Sequence, residues 1–417
     1  MRKGVVHVIG AGLAGLSAAV FLAARGAKVE ISEAAGFAGG RCRSYLDPQL
    51  EQIIDNGNHL ILSGNHSVHE YLRLIGSEGN FIGPDRAEFA FANLETGERW
   101  TIRPNEGCIP WWILSRKRRV PGTHASDYFQ LLKLTRAPKG RSLGASGNRS
   151  PLWEKLLHPF LLAALNTEPE TASAELVANV IRATLAKGGR AYHPRIASPT
   201  LAAAFVLPAI AFVTGHGAAL HFNQRLQRFI FEGGGVVGLE FPHGIVPVAE
   251  DDSIVLAVPP PVAVSLMPAV TAPDEFRAIV SAHFGITPPP GSPPMTGVLG
   301  GTVEWIFCFP DRVSVTVSNA DRLVEEDRAE LAQRLWSETA TVLGLPPELP
   351  RWQVVKEKRA TFAATPEQET KRPGPVTPYR NLFLAGDWTA TGLPATIEGA
   401  VRSGKRAAEL ALARAHV

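Results

Sequence analysis

The chain has 417 residues, of which 45% are hydrophobic and 19% are charged, and its formal net charge is +3. This length allows a large core without disulfide cross-links, and the composition excludes both a disordered chain and a polytopic membrane protein. Because the charges nearly balance, we predict no nucleic-acid partner. Cys42, Cys108 and Cys308 lack the spacing of a zinc site, so we predict no metal and a reducing compartment.

The first predicted element is a dinucleotide-binding unit. A β-branched run at 5–9 leads into a GxGxxG segment, which is followed by a helical pattern to Arg25 and a second strand at 28–32. Glycines between a strand and a helix allow a pyrophosphate to approach the helix N-terminus, and Glu33 would accept a hydrogen bond from a ribose hydroxyl. The cofactor-binding residues predicted here are Gly10, Ala11, Gly12, Leu13, Ala14, Gly15, Glu33 and Ala34.

Two further glycine-containing segments favour a flavin over a nicotinamide. The segments at 38–41 and 54–59 resemble the FAD-binding signature of the flavin amine oxidase and phytoene desaturase superfamily. The resemblance implies non-covalent FAD, with the arginine of the Gly-Gly-Arg motif reaching the pyrophosphate. It adds Gly39, Gly40, Arg41, Gly57, Asn58 and His59 to the predicted cofactor-binding residues.

The carboxy-terminal part of the chain is predicted to complete the same site. An apolar strand at 381–385 ends at Gly386 and Asp387, and a helix begins near Ile397. The resemblance implies that Asp387 binds the ribityl chain and that the backbone at Ala395, Thr396 and Ile397 meets the flavin pyrimidine. It also implies a backbone contact from Leu226 to adenine, although Leu226 is equally well explained as a core leucine.

The fold expected from these motifs is α/β, with a Rossmann-like FAD-binding domain and an inserted mixed α+β substrate domain, as in amine oxidases. We predict a discontinuous FAD domain at 1–80, 206–264 and 376–417. The substrate domain then occupies 81–205 and 265–375.

The segment 109–149 is predicted to face a membrane. Apolar and aromatic residues at 109–114 precede a basic run at 116–119, and more basic residues follow up to Arg149. Such a pattern is typical of a peripheral anchor on anionic lipid, and a solvated charge run is the alternative. We therefore expect a cytoplasmic protein, with peripheral association with the inner face of the cell membrane as a further hypothesis.

A narrower resemblance concerns the segments at 163–174 and 358–366. Together with the glycine-containing motifs, they resemble the hydroxysqualene dehydroxylase family, also called squalene-associated FAD-dependent desaturases, and the resemblance spans essentially the whole chain. It implies reductive dehydroxylation of hydroxysqualene to squalene in hopanoid precursor biosynthesis, with hydride passing from N5 of reduced flavin to an allylic cation. Because the chain offers no second GxGxxG unit, with a strand before it and a helix after it, for a nicotinamide, we expect an external electron donor.

His59 and Lys358 are the candidate catalytic residues. A histidine titrates in the range useful for proton transfer, and related amine oxidases place a lysine near flavin N5. Three alternatives remain open from the sequence: a carotenoid or phytoene-type desaturase, an amine oxidase, and a non-catalytic isoprenoid-binding escort protein. The intact Gly12, Arg41 and Asp387 favour a working cofactor site over the escort protein.

Overall fold

The computed structural model describes residues 4–144 and 150–414 and contains parallel and antiparallel sheets. The strands, in chain order, are β1 (Val5–Ile9), β2 (Lys28–Ser32), β3 (Ser44–Asp47), β4 (Gln52–Asp55), β5 (Leu60–Leu62), β6 (Phe81–Ile82), β7 (Phe89–Asn93), β8 (Arg99–Ile102), β9 (Pro194–Ala197), β10 (Ala219–His221), β11 (Arg228–Glu232), β12 (Gly235–Phe241), β13 (Gly244–Pro247), β14 (Ser253–Leu256), β15 (Phe276–Phe284), β16 (Met295–Leu299), β17 (Trp305–Cys308), β18 (Val313–Val317), β19 (Trp352–Phe362) and β20 (Leu382–Leu384).

Helices cover the faces of these sheets. The α-helices are α1 (Leu13–Ala23), α2 (His66–Leu74), α3 (Phe129–Leu134), α4 (His158–Leu165), α5 (Ala174–Ala183), α6 (Leu207–Gly215), α7 (Pro260–Leu266), α8 (Arg328–Leu343), α9 (Pro366–Thr370) and α10 (Ile397–Arg414). Short 3₁₀ turns lie between them, and π-helical turns at Trp153–Leu157 and Ala202–Val206 lead into α4 and α6. Within the described residues, no helix is long and apolar enough to span a membrane.

A five-stranded parallel sheet carries the predicted dinucleotide-binding unit. Its strand order is β10-β2-β1-β14-β20, so a strand from residues 253–256 and one from 382–384 extend the sheet begun by β1 and β2. Helices α1 and α10 pack closely against each other beside this sheet, since a Cβ atom at Gly404 of α10 would lie 2.2 Å from the carbonyl oxygen of Ala14 of α1. The fold therefore joins the two ends of the sequence, and the predicted Rossmann-like α/β architecture is confirmed.

The second large sheet has seven strands in the order β19-β15-β18-β17-β16-β7-β8. Alternate residues point to opposite faces, and the valines of β18 pack with Leu331, Leu335 and Trp336 of α8. The opposite face carries buried polar residues on β15 and β18 and aromatic residues on β7 and β17. These residues are Ser281, His283, Ser314 and Thr316 on the polar part, and Phe91, Trp305 and Phe307 on the aromatic part.

One predicted domain boundary falls inside a helix. The helical segment at 202–215 runs through residue 206, and its Ala204, Phe205 and Val206 are buried in the core around the parallel sheet. The strands of the parallel sheet nevertheless come from 1–80, 206–264 and 376–417, whereas those of the seven-stranded sheet come from 81–205 and 265–375. The division into two domains stays a prediction. The boundary predicted between residues 205 and 206 would fall before this helical segment, near residue 201.

Candidate functional site

The glycine-rich loop between β1 and α1 has the shape that a pyrophosphate requires. Gly10 has φ of +103°, and a Cβ atom there would lie 2.5 Å from the carbonyl oxygen of Ala257. A Cβ atom at Gly15 would lie 1.9 Å from the carbonyl oxygen of Gly10, whereas one at Gly12 would meet nothing within 4 Å. Two glycines therefore allow tight packing of the loop, and Gly12 leaves open space beside the N-terminus of α1.

Glu33 follows β2 and holds this loop in place. Its carboxylate accepts hydrogen bonds from the backbone N–H of Ala11 at 2.7 Å and of Ala35 at 2.8 Å, with the exposed Ala34 between them. A carboxylate has about four acceptor positions, so Glu33 can also accept from a ribose hydroxyl. The structure thus fits the role predicted for Glu33.

The predicted adenine contact lies on the segment that follows β10. The backbone N–H of Gln224 donates to the carbonyl of Glu33 at 2.8 Å, so this segment runs beside the Glu33 turn. Leu226 has a side chain buried in the core and lies just before β11. Its location is compatible with both the adenine contact and the core role.

Arg41 and Asp387 form an ion pair that joins the two predicted halves of the site. The guanidinium contacts both carboxylate oxygens, at 2.7 and 2.8 Å, and its other arm donates to the carbonyl of Ala360 at 2.5 Å. Asp387 raises the pKa of Arg41 from its ordinary value. The sequence predicted separate contacts of these residues with the cofactor and did not predict that they would bind each other.

The loop carrying Arg41 also lies against the glycine-rich loop. The backbone N–H of Gly39 donates to the carbonyl of Ala11 at 2.8 Å, and Gly39 and Gly40 both have positive φ. A Cβ atom at Gly40 would approach the Cα of Gly12 to 3.3 Å. The glycine-containing motifs are therefore in direct contact, as one cofactor site requires.

The segment at 56–59 connects this site to the seven-stranded sheet. Asn58 donates to the hydroxyl of Thr316 at 3.0 Å, and Asn56 donates to the carboxylate of Glu357 at 3.0 Å. Gly57 lies beside Ser281, since a Cβ atom at Gly57 would be 3.5 Å from its hydroxyl oxygen. The polar part of the sheet face thus packs against the predicted flavin loop.

His59 is uncharged near neutral pH. Burial, with a smaller contribution from the Arg41 guanidinium, lowers the pKa of His59 to about 4. The protein alone therefore presents a neutral imidazole, which can donate or accept a hydrogen bond. This protonation state does not support His59 as a charged proton donor, although its predicted cofactor contact stays a prediction.

Lys358 does not lie in the site, contrary to the prediction. Its ammonium group forms an exposed ion pair with Glu325 at 2.8 Å. Lys356, two residues earlier on the same strand, donates to the carbonyl of Val324, so both lysines point to the segment before α8. Side chains alternate along a strand, and Glu357 is the residue that faces the flavin loop through Asn56.

The N-terminus of α10 provides a second helix end at the site. The hydroxyl of Thr396 accepts from the backbone N–H of Gly399 at 3.1 Å and caps the helix, while Ile397 is buried and Ala395 partly buried. Gly386 is held by a hydrogen bond from its N–H to the hydroxyl of Ser403 at 2.9 Å. The first turn of α10 is thus fixed beside the Asp387 loop, with its dipole available to negative charge.

The Asn166-Thr167 motif has a structural role that the sequence did not specify. Asn166, at φ of +49°, donates to the hydroxyl of Thr361 at 2.9 Å and accepts from the backbone N–H of Asn319 at 2.6 Å. Thr167 accepts from the backbone N–H of Ala364 at 2.9 Å. The motif fixes the end of β19, where the carbonyl of Ala360 binds Arg41.

A separate cluster contains residues that can ligate a metal. His158, Glu168 and Glu170 have ligand atoms within 4.8 Å of one another, and His158 contacts Glu168 at 3.4 Å. The hydrogen bond to Glu168 raises the pKa of His158, and the His158 hydrogen bond lowers that of Glu168. A histidine–carboxylate hydrogen bond accounts for the contact between His158 and Glu168.

The predicted membrane-facing segment has exposed apolar side chains. Ile109, Trp111 and Leu114 are 60–63% exposed, whereas Trp112 is buried in an edge-to-face contact with Tyr128. Lys139 pairs with Glu175 at 3.0 Å, which reduces the local excess of positive charge seen in the sequence. Residues 145–149, including the predicted contributor Arg149, lie outside the described residues.

Comparisons with known proteins identify relatives over the whole chain. A model of the flavin containing amine oxidoreductase family matches residues 13–412. The chain is 52% identical to the hydroxysqualene dehydroxylase of Rhodopseudomonas palustris, with 98% of both chains covered. The hydroxysqualene dehydroxylase of Zymomonas mobilis is 48% identical, with 98% of this chain and 99% of that protein covered.

More distant relatives share the fold. A probable zeta-carotene desaturase of Synechococcus elongatus is 25% identical over 98% of both chains. Among solved structures, an oxidoreductase from Methanosarcina mazei superposes with a TM-score of 0.73 at 17% identity, covering 97% of this chain and all of that one. Cyclohexylamine oxidase from Brevibacterium oxydans gives a TM-score of 0.71 at 16% identity, covering 100% of this chain and 99% of that one.

Proposed function

Because the chain belongs to the flavin containing amine oxidoreductase family, and within it to the hydroxysqualene dehydroxylases, we propose that it converts hydroxysqualene to squalene with non-covalently bound FAD. The observation that carries the proposal is the 52% identity over 98% of both chains, together with an intact glycine-rich loop. The carotenoid desaturase alternative has weaker support, since that relative is 25% identical.

We assign each part of FAD to residues of the predicted site. The open space at Gly12 and the N-terminus of α1 would take the pyrophosphate, and Glu33 would accept from the adenosine ribose. Asp387 would bind the ribityl chain, and the start of α10 at Ile397, fixed beside the Asp387 loop, would meet the pyrimidine. When bound and reduced, FAD supplies a hydride equivalent and thereby the two electrons of the reaction.

The substrate undergoes loss of water followed by reduction. Protonation of the allylic hydroxyl allows the C–O bond to break with both electrons leaving in water, and hydride then forms the new C–H bond. The neutral His59 would serve as a hydrogen-bonding group for the hydroxyl or the cofactor. The aromatic part of the sheet face, with Phe91, Trp305 and Phe307, is the surface that we assign to the isoprenoid chain.

We also propose a cytoplasmic location with peripheral membrane association. Hydroxysqualene partitions into lipid, and exposed Ile109, Trp111 and Leu114 can enter the interfacial layer. An external donor would reduce the flavin, since the one GxGxxG segment that lies between a strand and a helix, at 10–15, is assigned to FAD, and the other match, at 233–238, lies in the β11–β12 hairpin.

The deciding experiment is an anaerobic single turnover. Photoreduced holoenzyme is mixed with hydroxysqualene in detergent micelles, and the products are identified by mass spectrometry. We expect squalene in proportion to the reduced flavin, with reoxidation of the flavin. Formation of no squalene by fully reduced enzyme contradicts the proposal, and dehydrogenation of a polyene precursor by oxidised enzyme would favour the desaturase alternative.

A further inference from the structure

A basic groove lies at the edge of the seven-stranded sheet, beside strand β8. Its volume is about 630 Å³, and its lining contains five cationic residues and no Asp or Glu. The cationic residues are Arg99, Arg103, Arg116, Lys117 and Arg119. Concentrated positive charge in a concave surface favours an anionic ligand.

The backbone around the groove is fixed by Arg118, which does not itself line it. Arg118 donates to the carbonyl of Arg103 at 2.9 Å and to that of Pro104 at 3.2 Å. These bonds join the end of β8 to the basic run and leave the neighbouring Arg116 and Lys117 side chains exposed. The groove is therefore a structured surface and differs from a freely moving charged loop.

The cationic side chains differ in how far the protein neutralises them. Arg103 pairs with Glu88 at 3.0 Å, and Arg99 donates to the carbonyl of Val342 at 2.6 Å. Within residues 4–144 and 150–414, Arg103 is the one of the five with an ion pair, Arg119 donates to the carbonyl of Ile113 at 3.3 Å, and Arg116 and Lys117 have neither an ion pair nor a side-chain hydrogen bond. These two residues consequently offer the charge that an external anion can use.

The exposed apolar side chains belong to the same loop. Asn105 holds it by donating to the carbonyl of Ile109 at 2.9 Å and accepting from the backbone N–H of Trp112 at 3.1 Å. Trp112 is buried, so its neighbours Trp111 and Leu114 project from a fixed turn, each 63% exposed. Apolar side chains beside a cationic groove match the layered chemistry of a lipid surface, in which phosphate lies above hydrocarbon.

We propose that the groove binds the phosphate headgroups of anionic phospholipids while Ile109, Trp111 and Leu114 enter the apolar layer. The inference rests on the proposed function, because an enzyme acting on a lipid-dissolved isoprenoid must receive it from a membrane. Arg116 and Lys117 provide the headgroup contacts, and the apolar side chains distinguish a membrane from a soluble phosphate. The groove therefore orients this face of the holoenzyme toward the membrane.

The test measures partitioning of holoenzyme onto vesicles of phosphatidylcholine alone or mixed with phosphatidylglycerol. The double variant R116Q/K117Q should bind the anionic vesicles about 30-fold more weakly, since each basic residue near such a surface contributes roughly a fivefold factor. The matched control R25Q/R73Q removes the same charge from exposed positions at the ends of α1 and α2 and should bind as the wild type does.

Each outcome has a defined meaning. Equal weakening in both variants, or equal wild-type binding to the two kinds of vesicle, overturns the groove assignment. Binding of inorganic phosphate by the wild type without vesicle partitioning overturns the lipid assignment in favour of a soluble anion. Wild-type turnover in detergent micelles is measured separately, so a failure of the proposed function is distinguished from a failure of membrane binding.

Discussion

At the scale of single residues, the glycines of the first loop differ in what a side chain would meet. Gly12 faces open space, whereas a Cβ atom at Gly15 would collide with the backbone of Gly10. Sequence spacing could predict both roles because the strand, the loop and the helix are adjacent along the chain. The structure adds that a side chain is excluded by backbone at Gly15 and by the expected cofactor at Gly12.

We expect Gly12→Val and Gly15→Ala to fail in different ways. Gly12→Val should fold and lose flavin, because its side chain fills the space for the pyrophosphate. Gly15→Ala should be destabilised by about 2 kcal/mol or more, since backbone must move to relieve the clash. Visible flavin absorbance and thermal unfolding measure the two effects, and a Gly12→Val protein that retains full flavin occupancy would contradict the cofactor position.

His283 should make the stability depend on pH. Burial, with a contribution from Arg312, lowers the pKa of His283 to about 3 from 6.5. Between these values the unfolded chain binds a proton that the folded protein does not, so this residue makes stability fall as the pH falls, by about 1.4 kcal/mol per pH unit. Below the folded pKa both states are protonated, and above the unfolded value neither is.

The variant His283→Asn should reduce this pH dependence. Urea unfolding at intervals from pH 4 to pH 6 gives the slope for each protein, and the wild-type slope should exceed that of the variant. The comparison uses slopes because removal of the hydrogen bond to Ser314 at 2.7 Å also changes the absolute stability. Identical slopes would show that His283 is not buried as a neutral group.

At the scale of secondary structure, strand β19 explains why Lys358 lies away from the flavin loop. A sequence assigns alternate residues to two faces but does not say which face meets the flavin loop. The contacts of Lys358 with Glu325 and of Glu357 with Asn56 settle that orientation. The register also shifts between Arg277 and Ile279 on the neighbouring strand β15, which no local sequence pattern indicated.

Alanine substitutions of Lys358 and of Glu357, which lie on opposite faces of β19, should have different effects. Lys358→Ala should keep kcat/KM within about twofold, because the lysine forms an exposed ion pair with Glu325 on the side of the strand away from the flavin loop. Glu357→Ala should reduce flavin affinity by leaving the buried Asn56 amide without its acceptor. Steady-state turnover and flavin titration test both statements, and loss of turnover in Lys358→Ala at full flavin content would restore its catalytic assignment.

At the scale of the whole molecule, contacts between distant segments create the site. The Arg41–Asp387 pair spans 346 positions in the sequence, and Asn166 connects α4 to both β19 and the turn at Asn319. The glycine-containing motifs and the general architecture were predictable because each has a local pattern. The pairing of Arg41 with Asp387 and the role of Asn166 were not predictable, because both depend on how the sheets are arranged in space.

Asn166 provides a test of this long-range connection. Asn166→Ala should lower the unfolding free energy by about 2–4 kcal/mol through lost buried hydrogen bonds and a strained positive φ. Asn166→Gly should recover the part of the lost unfolding free energy that is due to the strained backbone conformation. It should still lack the hydrogen bond to Thr361. Chemical denaturation measures both variants, and equal stability of Asn166→Ala and the wild type would contradict the role.

Helix α1 is buried along its entire length, and α10, near the end of the chain, provides much of its cover. During synthesis the glycine-rich segment therefore emerges several hundred residues before the helix that shields it, so the apolar α1 must persist without its native partner until α10 has been made. We therefore expect the cofactor to bind only after α10 has been synthesised, and we expect a chain that ends before Ile397 to expose the apolar surface of α1 and to bind chaperones.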